Sequence, residues 1–166
     1  MSKSDFDDFE SDFDLGYDKD ERDEEQRDED GRLNKPLEQY SSHEIEEEGL
    51  RLAESYLEKR KFEILEKDWM CGCGACDFVA KRKDEKQTVL VHVDTKLALD
   101  EEEYIMPELN IDGKKQKQFR ALCLMYMAQN AKCHSVRYDV IALNIVGERM
   151  AKLRHLVSAY DIDEDC

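Results

Sequence analysis

The sequence predicts an α/β fold, in which a mixed β-sheet is flanked by helices in the element order αβββαβ. Segments with helical spacing lie on either side of a central pair of short strands that are rich in β-branched residues. Most of the negative charge, in contrast, lies before the first helix. We therefore divide the chain into an acidic tail and linker at residues 1–43, a domain at residues 44–160 and a C-terminal tail at residues 161–166.

The acidic tail has the composition of a disordered segment. The chain of 166 residues has a formal net charge of −16, and residues 1–48 alone hold 20 acidic and 6 basic side chains, a net charge of −14. Phe6, Phe9 and Phe13 are each flanked by acidic residues, so their burial would bring many like charges together. Two interpretations follow: a solvating extension, or an acidic-aromatic motif that docks on a basic partner or shields the protein's own phosphate-binding face.

No part of the sequence has the character of a membrane span or a secretory signal. The chain lacks an apolar run of about 18 residues. Its first residues are acidic, whereas a secretory signal is basic and then hydrophobic. We therefore expect a cytoplasmic protein with reduced thiols and no membrane partner.

The first helix and the first strand follow the tail. Apolar residues recur at spacings of three and four over residues 45–57, which predicts a helix at residues 44–60 with Ser42 as its N-cap. Residues 62–70 have the composition of a strand, and the Cys-Gly-Cys-Gly segment at residues 71–74 predicts a turn.

A hairpin forms the centre of the predicted sheet. Residues 76–80 and 88–96 are its strands, and the charged residues 81–87 form a solvated turn. Because side chains alternate between the two faces of a strand, the second strand has one polar and one mainly apolar face. The polar face carries His92, Asp94 and Lys96.

Three charged residues of this hairpin suggest metal-dependent phosphodiester chemistry. Asp77 and Asp94 can supply the hard oxygen ligands that Mg²⁺ prefers. Lys96 can orient a water molecule or offset charge on a phosphate. The alternative is an ion pair that caps the edge of the sheet and discourages aggregation. An Asp-x-Lys triplet is common by chance, so the triplet alone does not decide between the two.

The second helix is predicted at residues 111–130, with Asp112 near its cap and four cations in its first half. These cations are Lys114, Lys115, Lys117 and Arg120. A helix N-terminus already favours phosphate, so the cations could hold the backbone phosphates of a nucleic acid. The alternative is that this lysine-rich turn is only a solvated face.

The remaining segments complete the predicted order. Residues 136–143 form the fourth strand, in which Asp139 beside Arg137 is expected to have a structural role, as an internal salt bridge or as an anchor for hydrogen bonds. Residues 152–160 form a short closing helix or an ordered tail.

Three cysteines at the turn before the hairpin could also bind a metal. Cys71, Cys73 and Cys76 lie close together in the sequence, and Zn²⁺ would need a fourth ligand such as His134, Cys133 or Cys123. The spacing is not the double Cys-x-x-Cys pattern of a zinc ribbon, however, and free cysteine is a common buried residue. Both interpretations stay open at this point.

Short motifs in a fixed order resemble those of one protein family. Residues 49–57 are similar to its Gly-Glu-x-x-Ala-x-x-Tyr-Leu helix, and residues 74–80 to its Gly-Glu-Ile-Asp-Leu-Ile-Ala strand. Residues 91–96 are similar to its Val-Phe-Val-Glu-Val-Lys strand, residues 137–140 to its Arg-Phe-Asp-Val segment, and residues 153–160 to its closing His-x-x-Asn-Ala-Phe element. The chain thus resembles the YraN-like family of predicted endonucleases, which belongs with the PD-(D/E)xK or restriction-endonuclease-like nucleases.

This resemblance implies a restriction-endonuclease-like core and a Mg²⁺-dependent endonuclease that acts on nucleic acid, with DNA favoured over RNA. It assigns Asp77 and Asp94 to metal binding and, with Lys96, to catalysis. The chain departs from the family pattern at Leu50 and Ala75, where the pattern has glutamate, and Asp94 is one methylene shorter than the family's glutamate. We therefore expect a weakened site. The alternative is a catalytically inactive nucleic-acid-binding or protein-binding module on the same fold.

Overall fold

The computed structural model describes residues 8–13, 36–100, 103–106, 111–147 and 150–163. Within these ranges the chain forms a six-stranded sheet, two α-helices and a 3₁₀ turn at Leu37–Gln39. In chain order the elements are β1 (Asp8–Phe13), α1 (Ser42–Lys59), β2 (Phe62–Cys71), β3 (Gly74–Arg82), β4 (Thr88–Leu97), α2 (Gly113–Gln129), β5 (Ser135–Gly147) and β6 (Met150–Asp163).

The sheet is mixed, as the sequence predicts. Its strand order is β1-β6-β5-β4-β3-β2, in which β4 and β5 are parallel and every other neighbouring pair is antiparallel. Parallel strands need a long crossover, and α2 lies in the connection between β4 and β5. The α/β fold class is therefore confirmed and is consistent with a restriction-endonuclease-like core.

The two helices pack on opposite faces of the sheet because the strands alternate their side chains. Val89 and Val91 of β4 belong to the same apolar cluster as Leu52 of α1, whereas Leu90 belongs to the cluster of Leu122 in α2. Strands that are covered on both faces have the near-continuous apolar character of β4 and β5. Among the described residues, no helix combines the length and the apolar character that crossing a membrane requires.

The helix starts agree with the predictions to within two residues, and the capping residues agree to within one. Ser41, and not Ser42, caps α1: its Oγ accepts from the backbone N–H of Glu44 at 3.1 Å, and Glu44 Oε1 accepts from the backbone N–H of Ser41 at 2.9 Å. Asp112 caps α2 as predicted, because its Oδ1 accepts from the backbone N–H of Lys115 at 2.9 Å.

Two strands differ from the prediction. The segment predicted as a closing helix or ordered tail is the long strand β6, in which Ala151, Leu153 and His155 are buried at the strand period of two. Part of the tail predicted to be disordered, Asp8–Phe13, forms the edge strand β1 against β6. Edge strands pair through backbone groups, so acidic side chains that oppose burial do not prevent this strand from forming. Residues 1–7, 14–35 and 164–166 of the predicted tails lie outside the described residues.

A buried polar network joins α1 to β5 and β6. Asp139 is fully buried and accepts from Arg137 Nε at 3.0 Å, from His155 Nε2 at 2.7 Å and from the backbone N–H of Ser158 at 2.9 Å. His155 Nδ1 lies 2.9 Å from the hydroxyl of Tyr56 on α1. Burial raises the pKa of Tyr56 to about 12, so its hydroxyl is protonated at neutral pH. The predicted structural role of Asp139 is therefore confirmed: it is both an ion-pair partner of Arg137 and an acceptor of further hydrogen bonds.

The network also controls the charge of Asp139. Burial alone would raise the pKa of this carboxyl. The hydrogen bond from His155, the charge of Arg137 and the Ser158 N–H outweigh burial and hold the pKa of Asp139 below its ordinary value. Ionisation of Asp139 is therefore more favourable in the folded than in the unfolded protein, and it increases the free energy of unfolding at neutral pH.

We predict that Asp139→Asn destabilises the protein by about 3 kcal/mol at pH 7, because it removes a fully buried carboxylate that is the counter-charge of the partly buried Arg137. The loss should shrink as the pH falls below about 4, where the unfolded carboxyl takes up its proton. Urea unfolding of the wild type and of Asp139→Asn between pH 7 and pH 3 measures the difference in the free energy of unfolding. Asp84→Asn, in the exposed turn before β4, is the control and should change little. A loss that is independent of pH down to pH 3 would contradict the assignment.

Candidate functional site

The site begins where β3 and β4 stop pairing. The ladder between these strands joins residues 78–81 to residues 88–91. Immediately beyond it, Oδ2 of Asp77 accepts from the backbone N–H of Val93 at 2.7 Å. A carboxylate thus takes the position of a backbone partner, and this hydrogen bond holds Asp77 at the opening between the strands.

His92 lies between the two carboxylates that the sequence predicts as metal ligands. Its Nδ1 is 3.3 Å from Asp77 Oδ2, and its Nε2 is 2.9 Å from Asp94 Oδ1. Burial alone would lower the pKa of His92, but its hydrogen bonds to Asp77 and Asp94 raise the pKa to about 10. The hydrogen bond from His92 in turn lowers the pKa of Asp94. At neutral pH the arrangement is therefore an imidazolium between two carboxylates.

A cavity of about 260 Å³ opens on this arrangement. Asp77, His92 and Asp94 line it from the sheet, and Glu46 and Leu50 line it from α1. Glu46 and Leu50 are four residues apart and therefore share one helical face. Leu50 is where the resemblance places a glutamate, and Glu46 brings a carboxylate to the same cavity from one turn earlier. Glu46 was not predicted as a site residue, although its helical spacing from Leu50 places it on the same face of α1.

A close approach of α1 to β4 brings these helix residues to the cavity. A Cβ atom built on Gly49 would overlap Oγ1 of Thr95 and would lie 2.6 Å from the Cβ of Thr95. A side chain larger than hydrogen does not fit between the helix and the strand. Gly49 therefore sets the distance of Glu46 and Leu50 from the carboxylates of the sheet.

A second cavity, of about 170 Å³, lies between the sheet and α2. Asp94 and His92 line this cavity as well as the first, and Lys115 lines it from α2. The charge of Lys115 contributes, after His92, to lowering the pKa of Asp94. The other lining residues are Ala75, Ile111, Gln118, Phe119, Tyr138 and Val140. One of the predicted phosphate-binding cations is thus beside the predicted metal ligands, and Ala75 lies in the same cavity.

The other predicted cations are exposed and lie away from the lining of both cavities. Lys114, Lys117 and Arg120 are on the exposed surface of the first turns of α2. Lys96 is exposed near the end of β4, two residues beyond Asp94. The structure therefore brings Asp77 and Asp94 together and leaves Lys96 at the margin of the site.

The fit of this site to a divalent cation is partial. The recorded contacts engage Oδ2 of Asp77 and Oδ1 of Asp94, and each carboxylate has a second oxygen. In the part of the chain that the structure describes, no three His, Cys, Asp or Glu side chains are grouped so that they could hold a metal ion. Mg–O distances of about 2.1 Å leave no room for an imidazole between two ligands of one ion. Mg²⁺ binding would therefore need the His92 ring to turn away and the two carboxylates to approach each other, with water and phosphate as further ligands.

The cysteines do not form a zinc site within the described residues. The Sγ atoms of Cys71 and Cys73 are 2.8 Å apart at the tip of the β2–β3 hairpin. Cys76 is buried instead, and its thiol donates to the backbone carbonyl of Phe78 at 3.5 Å.

The sequence of this chain is similar to that of a known protein family. The family described as uncharacterised protein family UPF0102 matches residues 49–143. A UPF0102 protein of Thermodesulfovibrio yellowstonii is 32% identical over 117 residues, which cover 70% of this chain and 96% of that protein. One of Geobacter metallireducens is 31% identical over 115 residues, covering 69% and 89%. One of Pelotomaculum thermopropionicum is 34% identical over 114 residues, covering 68% and 91%.

We predict that Gly49→Ala destabilises the protein by about 2 kcal/mol, because overpacking against Thr95 outweighs the better helix propensity of alanine. Gly113→Ala is the matched control, since a Cβ on Gly113 meets nothing within 4 Å. It should be neutral or slightly stabilising. Thermal unfolding followed by circular dichroism measures both variants. Equal midpoints for the two would show that α1 does not approach β4 as closely as described.

Proposed function

Because this chain belongs to the UPF0102 family, the YraN family, we propose that it is a Mg²⁺-dependent endonuclease-like protein that binds nucleic acid and hydrolyses a phosphodiester bond. The observation that carries the proposal is that Asp77 and Asp94 lie on either side of one imidazole ring and face one cavity. DNA is favoured over RNA because the nucleases that the sequence resembles act on DNA.

Each residue has a defined role in this proposal. Asp77 and Asp94 would hold the ion, which when bound would polarise the phosphate and activate a water molecule. Lys96 would reach in from the end of β4 to orient the attacking water. Lys115, at the second cavity, would hold the phosphate next to the scissile one. The other exposed cations of α2 would hold phosphates farther along the nucleic-acid strand.

Glu46 would supply the carboxylate that Leu50 lacks. Both side chains line the same cavity from one face of α1. Glu46 is exposed, so its ionised form needs no compensation for burial. A third anionic oxygen near the ion would act as a ligand or as an acceptor that orients bound water.

A second candidate function is a binding module without catalysis, and the position of His92 favours it. The imidazolium lies where a cation would bridge the two carboxylates and hydrogen-bonds to both. It therefore supplies positive charge without a metal. In such a module the cations of α2 would bind nucleic acid while the carboxylates stabilise the fold.

We predict that His92→Ala binds Mn²⁺ about tenfold more tightly than the wild type, a gain of about 1.4 kcal/mol, because the ring no longer holds the two carboxylates. Isothermal titration of metal-free protein measures the affinity. His43→Ala, at an exposed position on α1, is the control and should bind like the wild type.

Asp77→Ala completes this series, with folding checked by circular dichroism. It should lose binding in both the wild-type and the His92→Ala backgrounds. Identical heats for the wild type, His92→Ala and Asp77→Ala would remove the metal site and leave the binding module as the better function.

We also predict that Leu50→Glu with Ala75→Glu raises metal affinity and cleavage about tenfold or more, because each adds an anionic oxygen to a cavity that Asp94 lines. Duplex, branched and single-stranded DNA are the substrates for the cleavage assay. The same protein with Lys96→Ala is the control and should bind metal but lose the gain in cleavage. Leu50 is half-buried, so circular dichroism must confirm folding. A folded protein without any gain would count against the nuclease.

A further inference from the structure

The tip of the β2–β3 hairpin carries two thiols in contact. Cys71 pairs with Gly74 across the hairpin, so that Gly72 and Cys73 form its two-residue loop. The Sγ atoms of Cys71 and Cys73 are 2.8 Å apart, not far above the ~2.0 Å of a disulfide bond. Gly74 makes this tight turn possible, because its φ of +146° is a conformation that residues with a side chain rarely adopt.

The tip is open to solvent. Gly72 is exposed, a Cβ on it would meet nothing within 4 Å, and both cysteines are partly exposed. A small disulfide molecule can therefore reach the two thiols. Neither residue belongs to the lining of the two cavities beside Asp94.

The other described cysteines are in unreactive surroundings. Cys76 and Cys123 are buried, and burial raises the pKa of Cys76 to about 12 and the pKa of Cys123 still further. Thiols of this kind stay protonated and are poor nucleophiles. Cys133 donates weakly to the hydroxyl of Thr88 and to the carbonyl of Ser135. The facing pair at the hairpin tip is therefore chemically distinct among the described cysteines.

We propose that Cys71 and Cys73 form a redox-active dithiol that is converted reversibly into an intramolecular disulfide by exchange with a low-molecular-weight disulfide such as oxidised glutathione. This inference rests on the arrangement of the thiols and does not depend on the proposed function. A disulfide at an exposed, tightly turned site is of the labile kind that cellular thiols reduce again.

The exchange takes place in two balanced steps. The Cys71 thiolate attacks one sulfur of oxidised glutathione, which forms a mixed disulfide and releases one glutathione thiolate. Cys73, which keeps its proton because the hydrogen bond with Cys71 raises the pKa of its thiol, then loses that proton to the released thiolate. The Cys73 thiolate attacks the Cys71 sulfur and expels the second glutathione as a thiolate, which takes up from solvent the proton equivalent that Cys71 released on ionisation. Two electrons pass from the dithiol to oxidised glutathione, and two glutathione thiols are formed.

The disulfide would form beside the candidate site. A Cβ on Gly74 would lie 3.2 Å from Nε2 of Gln118 and 3.4 Å from a methyl carbon of Leu122, so the hairpin packs directly on α2. Gln118 and the next residue of the hairpin, Ala75, both line the second cavity. Tightening of the tip therefore acts on a wall of the cavity that holds Asp94 and Lys115.

The test uses the full-length protein and oxidised glutathione as the probe. The protein is equilibrated with mixtures of reduced and oxidised glutathione, quenched with acid, alkylated and digested with trypsin. The tryptic peptide of residues 68–81 contains Cys71, Cys73 and Cys76, and Cys166 is on a separate peptide. We expect this peptide to lose the mass of two hydrogens and to carry one alkyl group, on Cys76. Dithiothreitol should restore three alkylated cysteines.

Three variants identify the pair. Cys73→Ser should stop at a glutathione adduct on Cys71, and Cys71→Ser should form no disulfide in this peptide. Cys76→Ala should form the disulfide as the wild type does. A wild-type peptide that carries only glutathione adducts or free thiols, or a disulfide that Cys76→Ala abolishes, would overturn the proposal.

Discussion

The hydrogen bond from the backbone N–H of Val93 to the carboxylate of Asp77 is the contact on which the site depends. The ladder of β3 and β4 ends at Phe78 and Val91, just before the two residues that this hydrogen bond joins. Without the carboxylate, a half-buried N–H would lack a partner where the strands separate. The same contact places Asp77 beside His92, and through His92 it faces Asp94. Asp77 therefore has a role in the fold as well as a candidate role in chemistry.

Two further contacts place α1 over this point. At Gly49 the backbone of the helix is in contact with Thr95 of β4. Two turns later, the hydroxyl of Tyr56 is hydrogen-bonded to His155, which is in turn hydrogen-bonded to Asp139. Asp139 lies on β5 directly beside Val91 in the parallel register. The helix is thus held at two places along its length against neighbouring parts of β4 and β5. Such double attachment keeps the Glu46 and Leu50 face of the helix directed at the carboxylates.

The sequence allowed the central hairpin, both helices and the capping role of Asp112 to be predicted, because each rests on local periodicity and local hydrogen bonding. It also placed His92 and Asp94 on one strand face. It could not reveal that Asp77 reaches the same imidazole, since this depends on how two strands separate. The strand β1 was missed because its acidic side chains argue against burial, whereas edge pairing needs only backbone groups. Glu46 was not predicted as a site residue because its place at the cavity depends on how closely α1 packs on β4.

Charge balance links the departures of this chain from its family pattern. A site with glutamate in place of Leu50 and Ala75 would gather five carboxylates, counting Glu46, and such a density of negative charge favours a bound cation. With leucine and alanine there, three carboxylates remain on the first cavity, and the imidazolium offsets charge on the two that it contacts. His92 occurs where the pattern has phenylalanine, a residue that cannot perform this function. The lack of two acidic groups and the presence of one cation therefore change the charge of the site in the same direction. The His92 imidazolium can hold the two carboxylates together without a metal ion. A metal ion would have to compete with His92 for the same carboxylate oxygens.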